Sequence, residues 1–282
     1  MIGDNFLSFV ASVNKNLLFH YTTSELALTK ILKNGELKFG FYSNMNDPLE
    51  FLDCPREFSG TDDLFDQYSH KIFHDVEIAN QKRKHLQLIC FCRDNFELGK
   101  EAMLSHPYNR GWARSRMWSQ YADNHKGVCL IFDKERLTET ITDFLIDEGI
   151  STTHLLFKDE VSYGNAMDEY KEKLIIPINN TNCKNDFSNW FVAGKEKYLF
   201  HKIEDYRDEQ EYRFLIVNYD DKIDDKEFFI SIQKCIGGII IGCNFEKTYL
   251  QNIKQYSAMY SIPAYKVDWN CGIPSLSDLF QY

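Results

Sequence analysis

The apolar runs of this chain are short. The longest, LQLIC and CIGGIII, are strand-sized, and none approaches the roughly 18 residues a helix needs to cross a bilayer. Burial must come from many short elements packed together. A hydrophobic content of 44%, with 15% aromatics including 22 Phe and 16 Tyr, supplies a full core for a chain of 282 residues. That much aromatic surface also argues against disorder, because its burial offsets the entropy of ordering. The expectation is a soluble α+β globule, one domain over 1–282.

Local signals place its elements. LLFHY at 17–21 reads as a strand, and Thr22 with Glu25 forms a capping box for a helix with Leu28, Ile31 and Leu32 on one face and Gly35 as its left-handed stop. ELKFGFYS then alternates, with Leu37, Phe39, Phe41 and Ser43 on one face and Lys38, Gly40 and Tyr42 on the other. Asp47, Pro48 and Glu50 fit the start of a further helix, the glutamate reaching back to the cap. Residues 57–85 read as helix with loops, LQLICF at 86–91 as a buried strand, and MWSQYADNHKGVCLIFD as helix, Gly127 stop and strand. Residues 135–147 and 165–174 look helical around a strand-like HLLFKDEVSYG. The stretch 177–190, rich in Asn and Lys, reads as a surface loop, and EYRFLIV, EFFISI and GGIIIG as closely spaced strands.

Charge narrows the partners. A formal net charge of −10 excludes a general nucleic-acid coat, since phosphate binding is driven by Lys and Arg releasing condensed counterions. Local basic stretches remain at QKRKH, 81–85, and at NRGWARSRMW, 109–118, where Arg110, Arg114 and Arg116 interleave with Trp112 and Trp118. The second is either a strand-binding surface or a solvated stretch whose tryptophans pack inward. The N-terminal MIGDNFLSFVASVNKN lacks a basic head and does not read as a secretion signal. Cys90, Cys92, Cys129, Cys235 and Cys243 lie in or beside apolar runs, as buried thiols of a cytoplasmic protein do. No second half of a tetrahedral metal site accompanies Cys90 and Cys92, so no metal is expected. The dinucleotide-binding, phosphate-loop and GxSxG signatures are absent.

Three polar positions stand beside predicted strands: His20, the pair Tyr42 and Ser43, and Glu209-Gln210-Glu211 before YRFLIV. Locally they read as a core histidine, an exposed strand aromatic, and an acidic turn paired with Arg207 or Arg213. Taken together, FHYTT…ILKNGELKFGFYSNMNDPLEF, MWSQYADNHKGVCLIFD and DEQEYRFLIV resemble the bacterial family known as domain of unknown function 2971. The order of histidine on a first strand, helix ending in glycine, strand ending in Tyr or Ser, and glutamate entering a late strand is also similar to the ADP-ribosyltransferase superfamily.

That second resemblance implies an α+β fold with a mixed or antiparallel sheet and helical insertions, and NAD as co-substrate. On it, His20, with Tyr21 and Thr22 of the same run, holds the NAD. Tyr42 or Ser43 lines the nicotinamide pocket, Glu211 is the catalytic acid, and Glu209 orients the acceptor. Arg110, Arg114, Arg116 and Trp118 are candidates for contact with a macromolecular acceptor, protein or nucleic acid; no membrane is implied. Such an activity suits a toxin or antiphage effector. The chemistry fits the residue types, because a carboxylate stabilises the oxocarbenium character that develops when the nicotinamide–ribose bond breaks. The alternatives are a sensor module that binds a nucleotide or protein without catalysis, and a nucleic-acid-processing enzyme. The first reading requires His20, Glu211 and one of Tyr42 or Ser43 to line one cleft. It also expects His20 to lie within reach of Tyr42 or Ser43 on adjacent strands, and the three arginines to share the cleft's side.

Overall fold

The computed structural model describes residues 16–51, 57–59, 77, 81, 83–95, 107–151, 154–164, 175–177, 199–218 and 226–280. Nine strands build its main sheet: β1 Leu17–Thr22, β2 Gly40–Phe41, β3 Gln87–Arg93, β4 Val128–Asp133, β5 His154–Glu160, β6 Glu211–Asn218, β7 Ile236–Ile241, β8 Ala264–Asn270 and β9 Ile273–Asp278. They run in the order β9-β8-β7-β4-β1-β3-β6-β5, with β2 attached to β3 off this path. Every pairing is antiparallel except β7 with β8. This is an α+β architecture on a mostly antiparallel sheet.

Period-two alternation sorts the strand residues onto two faces. Leu18, Ile89, Phe91, Leu130, Phe132, Phe214 and Ile239 belong to one core, which α1 covers with Ala27, Leu28, Ile31 and Leu32. Leu137, Ile141 and Leu145 of helix Lys134–Asp147 and Ile253 of helix Leu250–Tyr260 complete that cover. Here α1 is the helix that runs through Ser24–Leu26, a π-helical Ala27–Ile31 and Leu32–Asn34. The opposite face carries Phe19, Tyr21, Cys92 and Cys129 under Trp112, Met117 and Trp118. Further along that face lies a smaller core of Tyr42, Leu88, Leu215 and Val217.

The position of the site follows from β3. Along one edge it pairs with β6 from Cys92↔Glu211 to Gln87↔Ile216. Along the other edge β1 takes Cys92 and Arg93, and β2 takes Gln87 and Leu88. No strand pairs with Ile89, Cys90 and Phe91 on that edge, so the sheet is split there among the described residues.

Several sequence expectations change. The side chain that caps α1 is Thr23, which accepts from Leu26 N at 3.2 Å, because Thr22 is still paired in β1; Gly35 ends the helix at φ 73° as expected. ELKFGFYS is not one strand. Glu36–Lys38 pairs with Phe229–Ser231, Gly40–Phe41 pairs with β3, and Tyr42–Asn44 turns as a 3-10 helix. The Tyr42 ring is buried against the Arg83 and Arg213 guanidiniums, at 5.7 and 5.9 Å, and that burial outweighs the alternation. Strands β8 and β9 extend the sheet beyond the strands anticipated, and the helix Leu250–Tyr260 precedes them. The expected helix at 165–174 lies outside the described residues, as do the loop at 177–190 beyond Pro177 and most of 57–85. No helix among the described residues is long and apolar enough to cross a membrane.

Candidate functional site

At the split a cavity of about 640 Å³ opens, with walls drawn from both faces of the sheet. On the α1 side it meets Leu26, Lys30, Ile31, Leu37 and Phe229; on the other, Met117, Tyr121, Lys202, Glu209 and Glu211. His20 stands between them. It alternates with Leu18 and lays its ring 5.5 Å from that of Phe91, and its Nδ1 lies 3.1 Å from the Cys90 carbonyl. A carbonyl can only accept, so Nδ1 carries the proton. Burial lowers the imidazole's pKa against the smaller upward pull of that hydrogen bond, leaving the ring neutral near pH 7 with a lone pair on Nε2. His20 thus fills, with a side chain, the place on Cys90 that a strand would take.

The far wall is an ion network. Lys202, on the short strand His201–Ile203, lies 2.7 Å from Glu209 and 2.8 Å from Glu211, with Glu50 at 3.9 Å. Glu211 and Arg213 are two apart on β6, so both point to one face, and they meet at 2.7 Å. Arg213 also donates to Glu50 and to the Leu199 carbonyl. Tyr121 donates to Glu209 at 2.7 Å and accepts from Asn46 at 3.3 Å. Gln210 closes the 3-10 turn Glu204–Glu209 in the left-handed region, φ 44°, which directs Glu209 inward just ahead of β6. Glu50 arrives on helix Pro48–Phe51, which Asp47 docks by accepting from Ile203 N at 3.1 Å.

These contacts set the charge states. Desolvation opposes ionisation of Glu211, yet Arg213 and Lys202 overcome it and hold the carboxyl well below the usual range. Glu50 is pushed up, because burial outweighs the attraction of Arg213 and Lys202. Lys202 is raised well above a free lysine: burial works against its charge, and Glu211, Glu50 and Glu209 prevail. Both cations of this wall, Lys202 and Arg213, are thus engaged by Glu209, Glu211 and Glu50, and at Glu50 burial favours the neutral form.

The expected site residues divide. His20, Tyr21, Glu209 and Glu211 line the cavity; Thr22, Tyr42 and Ser43 do not. Thr22 is buried in its pairing with Val128. Tyr42 lies in the core, Ser43 is in the turn, and Asn44, Met45 and Asn46 take the wall instead. β1 and β2 are not paired neighbours, contrary to expectation; both are attached to the same edge of β3. The acidic turn is not a surface feature either, for Arg207 pairs with exposed Glu204 while Glu211 pairs with buried Arg213.

The arginine stretch also comes apart. Arg110 is buried against Asp94 at 3.0 Å, and Trp118 is fully buried with its indole donating to the Trp112 carbonyl at 2.8 Å. The inward-packing reading of the tryptophans therefore holds. Arg114 is half-buried and reaches the Arg93 carbonyl at 3.4 Å, and exposed Arg116 lies over Tyr206 at 5.6 Å. Tyr206 in turn donates to the carbonyl of cavity-lining Asn46, which ties Arg116 to the rim, and Arg114 acts electrostatically on Tyr21 and Cys92, which also line the cavity.

Sequence reasoning missed Lys202, Glu50 and Tyr121 as members of the site. Tyr121 sits three residues after the buried Trp118 in the W-x-x-Y motif, and that spacing was the available signal. Among the described residues no group of three or more His, Cys, Asp or Glu is placed to hold a metal ion.

Fold and cavity together define an α+β protein with a ligand-sized cleft at a split in its sheet. Residues 117–214, about a third of the chain, match the family described as Protein of unknown function (DUF2971), in keeping with the first resemblance. The matched span contains Tyr121, Lys202, Glu209, Glu211 and Arg213. No curated protein and no solved structure matches the chain, and the comparisons lend no support to the ADP-ribosyltransferase likeness.

Proposed function

We propose that the cavity binds NAD and that the protein transfers its ADP-ribosyl group to a macromolecular acceptor. The observation that supports this reading is the convergence on one cavity of the neutral His20 imidazole and the ionised Glu211 carboxylate; the third expected member is missing, for neither Tyr42 nor Ser43 lines that cavity, and the reading stands on the first two. In the reaction the bond from the ribose anomeric carbon to the nicotinamide nitrogen breaks. Nicotinamide leaves with the electron pair, and an acceptor nucleophile bonds to that carbon and gives up its proton. Glu211, held ionised, would stabilise the developing positive charge, and the His20 lone pair would accept from a sugar hydroxyl. A toxin or antiphage effector is the role that such a transfer would serve.

The test is incubation of the protein with NAD labelled in its adenylate half and with cell lysate, followed by protease or nuclease. Nicotinamide release with label retained on one class of macromolecule is expected. Glu211→Gln should lower turnover on the order of a hundredfold to a thousandfold while keeping NAD affinity. A parent protein that releases no nicotinamide defeats the reading.

A second reading, a nucleotide- or protein-binding module without catalysis, draws on the engagement of both Glu211 oxygens by Arg213 and Lys202. Ion pairing of that kind reduces the charge left to act on a substrate. It anticipates NAD affinity without turnover. The burial of Arg110 and Trp118 counts against the nucleic-acid-processing alternative.

A further inference from the structure

We infer that the α1 mouth of the cavity is a nucleotide-recognition site, taking an aromatic base against Phe229 and Leu26 and a phosphate at Lys30. Phe229 and Leu26 are 43% and 47% exposed, and both line this one mouth. Exposed apolar side chains gathered at a cavity entrance are suited to a flat apolar guest, and a base has such a face whatever its identity. Leu26, Lys30 and Asn34 line the same mouth at four-residue intervals along α1, so an anion over the helix meets an ammonium and an amide together.

Charge then sets the direction in which a nucleotide enters. The two cations of the far wall, Lys202 and Arg213, are already engaged by Glu50, Glu209 and Glu211, so that wall offers a phosphate no uncommitted charge. At the α1 mouth Lys38 is paired with Glu227 and Glu36 is exposed on the neighbouring strand, whereas Lys30 has no ion-pair partner among the described residues. The phosphate is therefore confined to the α1 side of the mouth. That helix is held from behind. Tyr256 donates to the Leu28 carbonyl at 2.9 Å and Tyr260 to the Leu32 carbonyl at 2.7 Å, on either side of Lys30 within and after the π-helical segment. In NAD this would be the adenylate end, an assignment that rests on the transferase reading; the mouth itself does not.

The experiment measures AMP, adenosine and nicotinamide binding to the full chain by calorimetry, beside Lys30→Glu, Lys30→Arg and Phe229→Ala. Loss of a stacking aromatic costs about tenfold or more in affinity, so Phe229→Ala should weaken AMP and adenosine alike by that factor. Lys30→Glu should weaken AMP about tenfold and leave adenosine unchanged, Lys30→Arg should restore AMP, and none should alter nicotinamide binding. AMP that fails to bind, or binds the variants equally, overturns the site. NAD consumption unaffected by Lys30→Glu and Phe229→Ala would overturn the assignment of the mouth to the adenylate end of NAD while leaving the transferase standing. AMP binding with the expected pattern but no NAD consumption upholds the mouth and removes the transferase.

Discussion

Glu211 and Arg213, two residues apart on β6, meet at 2.7 Å with at most 3% of either side chain reaching solvent. Charges this deep are tolerated only in company, and Arg213 has Glu50 as its second partner. Arg213→Met is expected to destabilise the fold by about 3–5 kcal/mol, because it leaves two buried carboxylates short of their cation. Urea unfolding measures it. A loss below about 1 kcal/mol would mean that the pair behaves like an exposed one.

The network also fixes a pH signature. Glu211 titrates below its unfolded value, so its contribution is present above about pH 4.3 and is lost as pH falls. Glu50 titrates above its unfolded value, so its contribution is greatest in acid and is lost as pH rises through the elevated folded pKa. Glu211→Gln should flatten the acid limb of the stability curve, and Glu50→Gln should remove a decline on the neutral side. Denaturant midpoints between pH 3 and 8 report both; parallel curves for parent and variants would contradict the assignment.

Backbone exchange should reveal the split directly. Arg93 N donates to the Gln210 carbonyl at 3.0 Å, so by alternation Ile89 and Phe91 face β6 while Cys90 faces the split, where its carbonyl takes the His20 proton. The Cys90 amide is expected to exchange with deuterium at least about tenfold faster than its two neighbours, and to slow when the cavity is filled. Equal protection at all three positions would show the edge to be closed.

One turn behind the site should tolerate no added atom. Asp123, Asn124 and His125 all occupy the left-handed region, at φ 44°, 51° and 68°, and the His125 carbonyl accepts from Asn244 N at 3.0 Å. A Cβ on Gly242 would fall 2.0 Å from that same carbonyl oxygen. Gly242→Ala should therefore cost about 1–3 kcal/mol or more from the clash, whereas Gly149→Ala meets nothing within 4 Å and carries only the strain of its left-handed φ of 69°. Thermal unfolding of Gly242→Ala close to the parent would refute the close approach.

How much of this the sequence showed depended on whether a residue's partner was local. His20 stood out as a polar residue within an apolar strand, and Glu211 as one at a strand's entrance. Glu50 did not, since NDPLE satisfies a helix start by itself while the carboxylate in fact reaches Arg213, 163 residues away. Lys202 lies in a three-residue strand, too short for alternation to show which way it points. Tyr42 continued the alternation of the preceding residues until burial beneath two guanidiniums turned the backbone. Arg110 and Trp118 sit in a stretch that is basic and aromatic, as a surface groove would be; the Asp94 that draws Arg110 inward is 16 residues upstream.

The sheet's split has a mechanical meaning. Strands β9, β8, β7, β4 and β1 form one plate, and β2, β3, β6 and β5 another; strand pairing joins them at Leu18↔Arg93 and Phe19↔Cys92, with the His20 bond beside it. Across so short a seam the plates are joined chiefly by packing and little by backbone bonds: the Phe91 ring of one lies 5.4 Å from the Phe132 ring of the other, within a core that both share. Whatever occupies the cavity therefore sits where the ladder is open and the shared core carries the join.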